Sequence, residues 1–138
     1  MFRDRFKIGE GVIEVDVIDN IIYVKIFHVN NDEIAMGTID YVDKIIDRIP
    51  GSSIRIWDFS ELPSKSFMVT NDCIKRIIAW SEGIKRKRPG SKAYFIAPEP
   101  LLFGMARMYQ IQASDERMDV IVLRNIDELP TEIREKIR

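Results

Sequence analysis

A chain of 138 residues, 46% hydrophobic and 31% charged, has the length of one domain with a real core and lies far from the composition of disordered segments. A formal net charge of −1 gives no bulk attraction to nucleic acid or to an anionic membrane. A single cysteine, Cys73, and a single histidine, His28, exclude an internal disulfide framework, a cysteine-based zinc site and a histidine-rich metal site, so no metal and no other cofactor is expected.

In chain order, the opening MFRDRFKIGEG is charged and lacks the apolar region of a signal peptide, and residues 1–11 are expected as a loosely ordered segment. Residues 12–18 alternate, with Ile13, Val15 and Val17 on one face and Glu14 and Asp16 on the other, the pattern of a half-solvated strand. Asp19-Asn20 is a hairpin turn, and IIYVKIF (21–27) reads as a strand covered on both faces. A helix follows in which Thr38 is the candidate cap and Val42, Ile45, Ile46 and Ile49 form the apolar stripe. Pro50-Gly51 ends it. SIRIWDF (53–59) is a strand, residues 60–69 a loop, and a second helix begins near Thr70, carries Cys73, Ile74, Ile77, Ile78 and Ile84 inward, and closes near Pro89-Gly90. KAYFIA (92–97) is a strand, 101–113 a helix, and DVIVL (119–123) a strand. The last helix repeats Leu129, Ile133 and Ile137, with Pro130 tolerable in its first turn. The order β-β-α-β-α-β-α-β-α predicts a single α/β domain with a mostly parallel sheet and one antiparallel edge from the opening hairpin. No apolar run reaches the roughly 18 residues of a membrane span, so a soluble cytoplasmic protein is expected.

The hairpin, the helix-strand steps and above all Leu102-Phe103-Gly104-Met105-Ala106-Arg107-Met108-Tyr109, followed by a strand and Asn125-Ile126-Asp127-Glu128, resemble the SpoIIAA-like family. These are small bacterial and archaeal proteins related in fold to STAS domains and to the CRAL-TRIO lipid-binding fold. The resemblance covers the chain from Gly11 onward and implies a STAS-like fold with no settled activity. The family's frequent terminal Trp-Leu pair is not matched. Asp58-Phe59-Ser60 resembles the Asp-Leu-Ser of anti-sigma-factor antagonists, which implies Ser64 or Ser66 as phosphorylation candidates. The antagonists' Asp-Ser-Ser-Gly is absent around Ser64-Lys65-Ser66.

Asp58 and Ser60 sit where a strand ends, the place open α/β sheets put ligands; they also suit capping of backbone amides in the loop. Lys85-Arg86-Lys87-Arg88 reads as a solvated helix end favoured by the helix dipole, and Cys73 as core. The helix at 101–113 is apolar on nearly every side. Leu102, Met105, Ala106 and Tyr109 can face the sheet, which leaves Leu101, Phe103 and Met108 for a homodimer interface, another protein partner or a ligand groove, with Arg107 at its rim. Its start at Pro98-Glu99-Pro100 also offers amides to an anion. The expectation is a non-enzymatic binding domain for a protein partner, for itself, or for a small apolar or anionic ligand. The alternative is a small enzyme using Asp58, Ser60 and Arg107, which lacks an evident base of near-neutral pKa.

Overall fold

The computed structural model describes residues 3–8, 12–29, 31–113 and 119–138. Its first strand, β1 (Arg3–Ile8), lies in the segment expected to be loose and pairs antiparallel with β2 (Ile13–Ile18) along its whole length, from Arg3 opposite Ile18 to Ile8 opposite Ile13. The basic residues Arg3, Arg5 and Lys7 fall on alternate positions, with Phe6 and Ile8 on the other set, so a period of two is present beneath the high charge. β2 turns at Asp19, whose φ of 54° is the left-handed conformation that aspartate tolerates in tight turns, into β3 (Ile21–Ile26). From there β4 (Ile54–Asp58), β5 (Lys92–Ile96) and β6 (Asp119–Leu123) add in parallel, and the sheet runs in the order β1-β2-β3-β4-β5-β6.

Sequential order places the connecting helices side by side on one face. These are α1 (Asp32–Arg48), α2 (Asn71–Lys87) and α3 (Pro100–Ala113). Under them lies the main core, crossed by the register row Val15, Val24, Trp57, Phe95, Val122. The other face carries the row Asp16, Tyr23, Ile56, Tyr94, Ile121 and a smaller core closed by α4 (Thr131–Ile137) through Ile133 together with Leu129. The chain is therefore one α/β unit, with a strand more than the sequence predicts.

Two helix starts differ from expectation. α1 begins six residues before Thr38: Asn31 caps it by accepting from the Ile34 amide at 2.9 Å. Thr38 is buried inside the helix and donates its hydroxyl to the Ile34 carbonyl at 2.8 Å, which removes the burial cost of that group. At α4, Pro130 is the capping residue itself rather than part of the first turn, and its carbonyl accepts from the Ile133 and Arg134 amides at 3.0 and 3.1 Å. α2 starts as read, with the Thr70 hydroxyl accepting from the Cys73 amide at 3.2 Å, and Cys73 is buried in the core.

Candidate functional site

Three aromatic residues stand at or just beyond the carboxyl ends of neighbouring strands on the helix face: Trp57, Phe59 and Phe95. Phe95 lies between the other two, stacked on Trp57 at 6.4 Å and on Phe59 at 6.1 Å between ring centroids. Phe67, edge-on to Phe59 at 6.3 Å, and Tyr109 of α3, 5.0 Å from Phe95, complete the wall. Opposite stand non-aromatic residues of the helices, Ala35, Thr38 and Ile39 from α1, Ile74 and Ile77 from α2, and Leu102, Met105 and Ala106 from α3. Rigid rings cannot collapse onto alanines, and a cavity of about 130 Å³ remains between sheet and helices. Among the described residues no charged side chain lines it. Thr38, one of its few polar groups, already spends its hydroxyl on Ile34.

The loop after β4 roofs the cavity. Phe67 forms a parallel bridge with Val29; the Val29 amide donates to the Ser66 carbonyl at 3.0 Å and the Met68 amide to the Val29 carbonyl at 2.8 Å. The Asp32 carboxylate, at the start of α1, accepts from the Thr70 amide at 2.8 Å and the Thr70 hydroxyl at 2.5 Å. These hydrogen bonds hold the Asp32 carboxyl below the usual carboxylate range. Further towards the amino end of β4, Arg55 is almost fully buried with its guanidinium 5.0 Å from the centre of the Trp80 ring, while the Trp80 indole N–H donates to Asp43 of α1 at 2.9 Å. Burial pushes the Arg55 pKa down and the Tyr109 phenol up.

Asp58 ends β4 on the opposite face of the sheet and is buried. Its carboxylate accepts from the Tyr23 hydroxyl on β3, from the Ser60 amide at 2.9 Å and from the Ser60 hydroxyl. Burial first, then the hydrogen bond to Asp58 and the nearby charges of Asp58 and Asp16, push the Tyr23 phenol well above its ordinary value. Asp58 and Ser60, two of the candidate site residues, are thus brought together in a capped strand end.

The candidates on α3 are separated. Leu101 and Met108 are each 61% exposed and share an outward stripe with Ile111, 75% exposed. Phe103 does not join them: it is half-buried against the main core and carries the Arg124 guanidinium 4.2 Å from its ring centre. Two residues apart on a helix are turned about 200° from one another, which is why Leu101 and Phe103 cannot share a face. Arg107 is exposed and donates to Gln110 at 3.0 Å, and Gln110 in turn donates to the Val120 carbonyl of β6 at 2.6 Å. Leu102, Met105, Ala106 and Tyr109 face inward as expected, but onto the cavity. Ser66 lies in a 3₁₀ turn, Ser64–Ser66, whose backbone is engaged with Pro63 and Val29. The side chain of Ser64, those of Lys85, Arg86 and Lys87, and the segment 114–118 lie outside the described residues. Arg88 donates to the Ile49 and Gly51 carbonyls and so closes the end of α1 onto the end of α2.

The aromatic wall escaped the sequence reading. Its available signal was the recurrence of Trp57, Phe59 and Phe95 at the carboxyl ends of successive strands. Ile111 was also missed, although 101, 104, 108 and 111 follow a heptad. Among the described residues no cluster of histidine, cysteine, aspartate or glutamate is arranged to hold a metal, and no helix is long and apolar enough to cross a membrane. Comparison with protein-family models, with curated proteins and with solved structures finds no match.

Proposed function

We propose that this chain is a non-enzymatic, STAS-like binding domain whose ligand is a small apolar molecule held between the sheet and α1–α3. The observation that carries the reading is the cavity: about 130 Å³, walled by five aromatic rings, with no charged side chain on its lining among the described residues. Apolar space of about this size, roughly 150 Å³, is enough to take up a benzene-sized guest. The chemistry favours an apolar ligand over an anionic one, since an anion would be desolvated there without a cation to meet it. Kinship of the SpoIIAA-like family with a lipid-binding fold agrees with that choice.

The enzyme alternative asks Asp58, Ser60 and Arg107 to work together. Asp58 is occupied by Tyr23 and Ser60 on the sheet face opposite the cavity, and Arg107 is an exposed residue of α3 held by Gln110. Their separation supports binding rather than catalysis.

Benzene and indole are suitable probes, with thermal melting as the readout and tryptophan emission as a second, because Trp57 lines the cavity. Saturating probe is expected to raise the melting temperature, by the equivalent of about 2.7 kcal/mol at a hundred times Kd. In Ala106→Leu, where three added carbons occupy the space, the probe-induced shift should vanish while the melt without probe stays within about 1.5 kcal/mol of wild type. Wild-type protein that responds to neither probe, in melting or emission, would overturn the reading.

A further inference from the structure

Viewed down its axis, α3 divides into three sectors. Leu102, Met105, Ala106 and Tyr109 face the cavity. Phe103 and Gln110 turn to the Arg124 and Val120 side, at the end and start of β6. The third sector, roughly 130° from the first, holds Leu101, Gly104, Met108 and Ile111, all exposed. Nothing among the described residues explains this third sector. A Cβ built at Gly104 meets no atom within 4 Å and its φ is not positive, so neither crowding nor backbone geometry calls for glycine there.

We propose that this stripe is the contact by which two copies of the chain form a dimer, with their α3 helices antiparallel. The spacing is self-complementary. A two-fold axis passing at the level of Ala106 sets Leu101 of one copy against Ile111 of the other, because both lie five positions from that level. The same axis sets Met108 of one copy over Gly104 of the other, two positions on either side. The long, unbranched methionine side chain then fills the open notch that glycine leaves, and the notch lets the two backbones approach. Spacings of three and four residues are those of antiparallel helix pairs that cross at about 20°. The stripe itself carries no charge, and Arg107, which flanks it, is turned to Gln110. An isologous contact of this kind closes on itself and adds no further copies.

Area sets the strength. The stripe spans eleven residues, about 15 Å, and is one helix wide, less than the roughly 800 Å² per partner of a standard interface. The dimer is therefore a reversible one that dissociates on dilution. Two copies of Arg107 lie near the axis on the same rim, so added salt screens their repulsion and tightens the contact.

Sedimentation of the full chain across a concentration series tests this. Wild type is expected to pass from monomer to dimer as concentration rises, at lower concentration in high salt. Ile111→Glu and Met108→Lys should each weaken association by at least roughly tenfold without lowering the melting temperature, since both side chains are solvent-exposed in the monomer. Gly104→Leu separates this from a generic apolar patch: it adds apolar surface, so an unspecific patch would associate more, whereas a filled notch associates less. Wild type that remains monomeric at millimolar concentration, variants at 108 and 111 that associate like wild type, or a Gly104→Leu chain that associates more strongly would each overturn the proposal.

Discussion

Three donors from two residues converge on the Asp58 carboxylate, and the energetic consequence is asymmetric. Removing the Tyr23 hydroxyl deletes one donor and leaves the carboxylate with its two Ser60 contacts, a loss of about 1 kcal/mol. Removing the carboxylate instead strands the Ser60 amide and the half-buried phenol, and Asp58→Ala should cost roughly 2–3 kcal/mol. The pH dependence identifies Tyr23 separately. Its folded pKa is raised, chiefly by burial, so its neutral form belongs to the native state. The associated stability is fully present below the unfolded value of about 10 and is lost as pH rises beyond it. Urea midpoints measured from pH 8 to about 11 should fall at the alkaline end in wild type and fall less in Tyr23→Phe. Parallel curves for the two proteins would show that another group governs alkaline unfolding.

Among the elements, legibility followed how local the determining signal was. The alternation of Ile13, Val15 and Val17, the stripe from Val42 to Ile49 and the Thr70 start of α2 depend on neighbours one turn or one pleat away, and all were readable. The start of α1 was not, because Thr38 offers the same side chain to a cap or to a carbonyl one turn back; only tertiary burial of Ala35, Thr38 and Ile39 decides for the second. On α3 the inward stripe was readable, while the division of the remaining apolar residues into Phe103 against Arg124 and Leu101 with Met108 in solvent depended on where β6 runs. The latch between α1 and α2 was equally invisible, since Asp32 and Thr70 are distant in sequence. Its sign with pH is nonetheless definite. The Asp32 carboxyl is depressed by its bonds to Thr70, so its contribution is present above the unfolded pKa of about 4 and is lost as pH falls through the lower folded value. Melting temperatures of wild type and Asp32→Ala should differ at neutral pH, and the gap should narrow as the pH falls below the unfolded value of about 4. A gap that stays constant throughout the acid range would assign the effect to something other than the carboxylate.

At the scale of the whole molecule, β1 changes what the sheet needs. In the nine-element reading the solvated edge belonged to β2, and the first eleven residues were a loosely ordered segment. In the structure β2 is an interior strand with a partner on each side, α1 reaches over β1 as well, and Ile13, Val15 and Val17 are nearly inaccessible to solvent. Deleting residues 1–11 therefore removes the strand that flanks β2 on one side. Partial exposure of two or three such side chains, each worth roughly 1.5–3 kcal/mol when fully buried, should lower stability by roughly 2–4 kcal/mol. It also leaves a bare β2 edge, whose alternating VIEVDVI is suited to pairing with another chain. The shortened chain is expected to show a lower urea midpoint and to self-associate, and this association should persist when Ile111→Glu is added, because it proceeds through the sheet edge and not through α3. A shortened chain with the wild-type midpoint would return β1 to the status of a loose segment. One that is destabilised but associates only when Ile111 is intact would place the new contact on the helix stripe and leave the β2 edge covered.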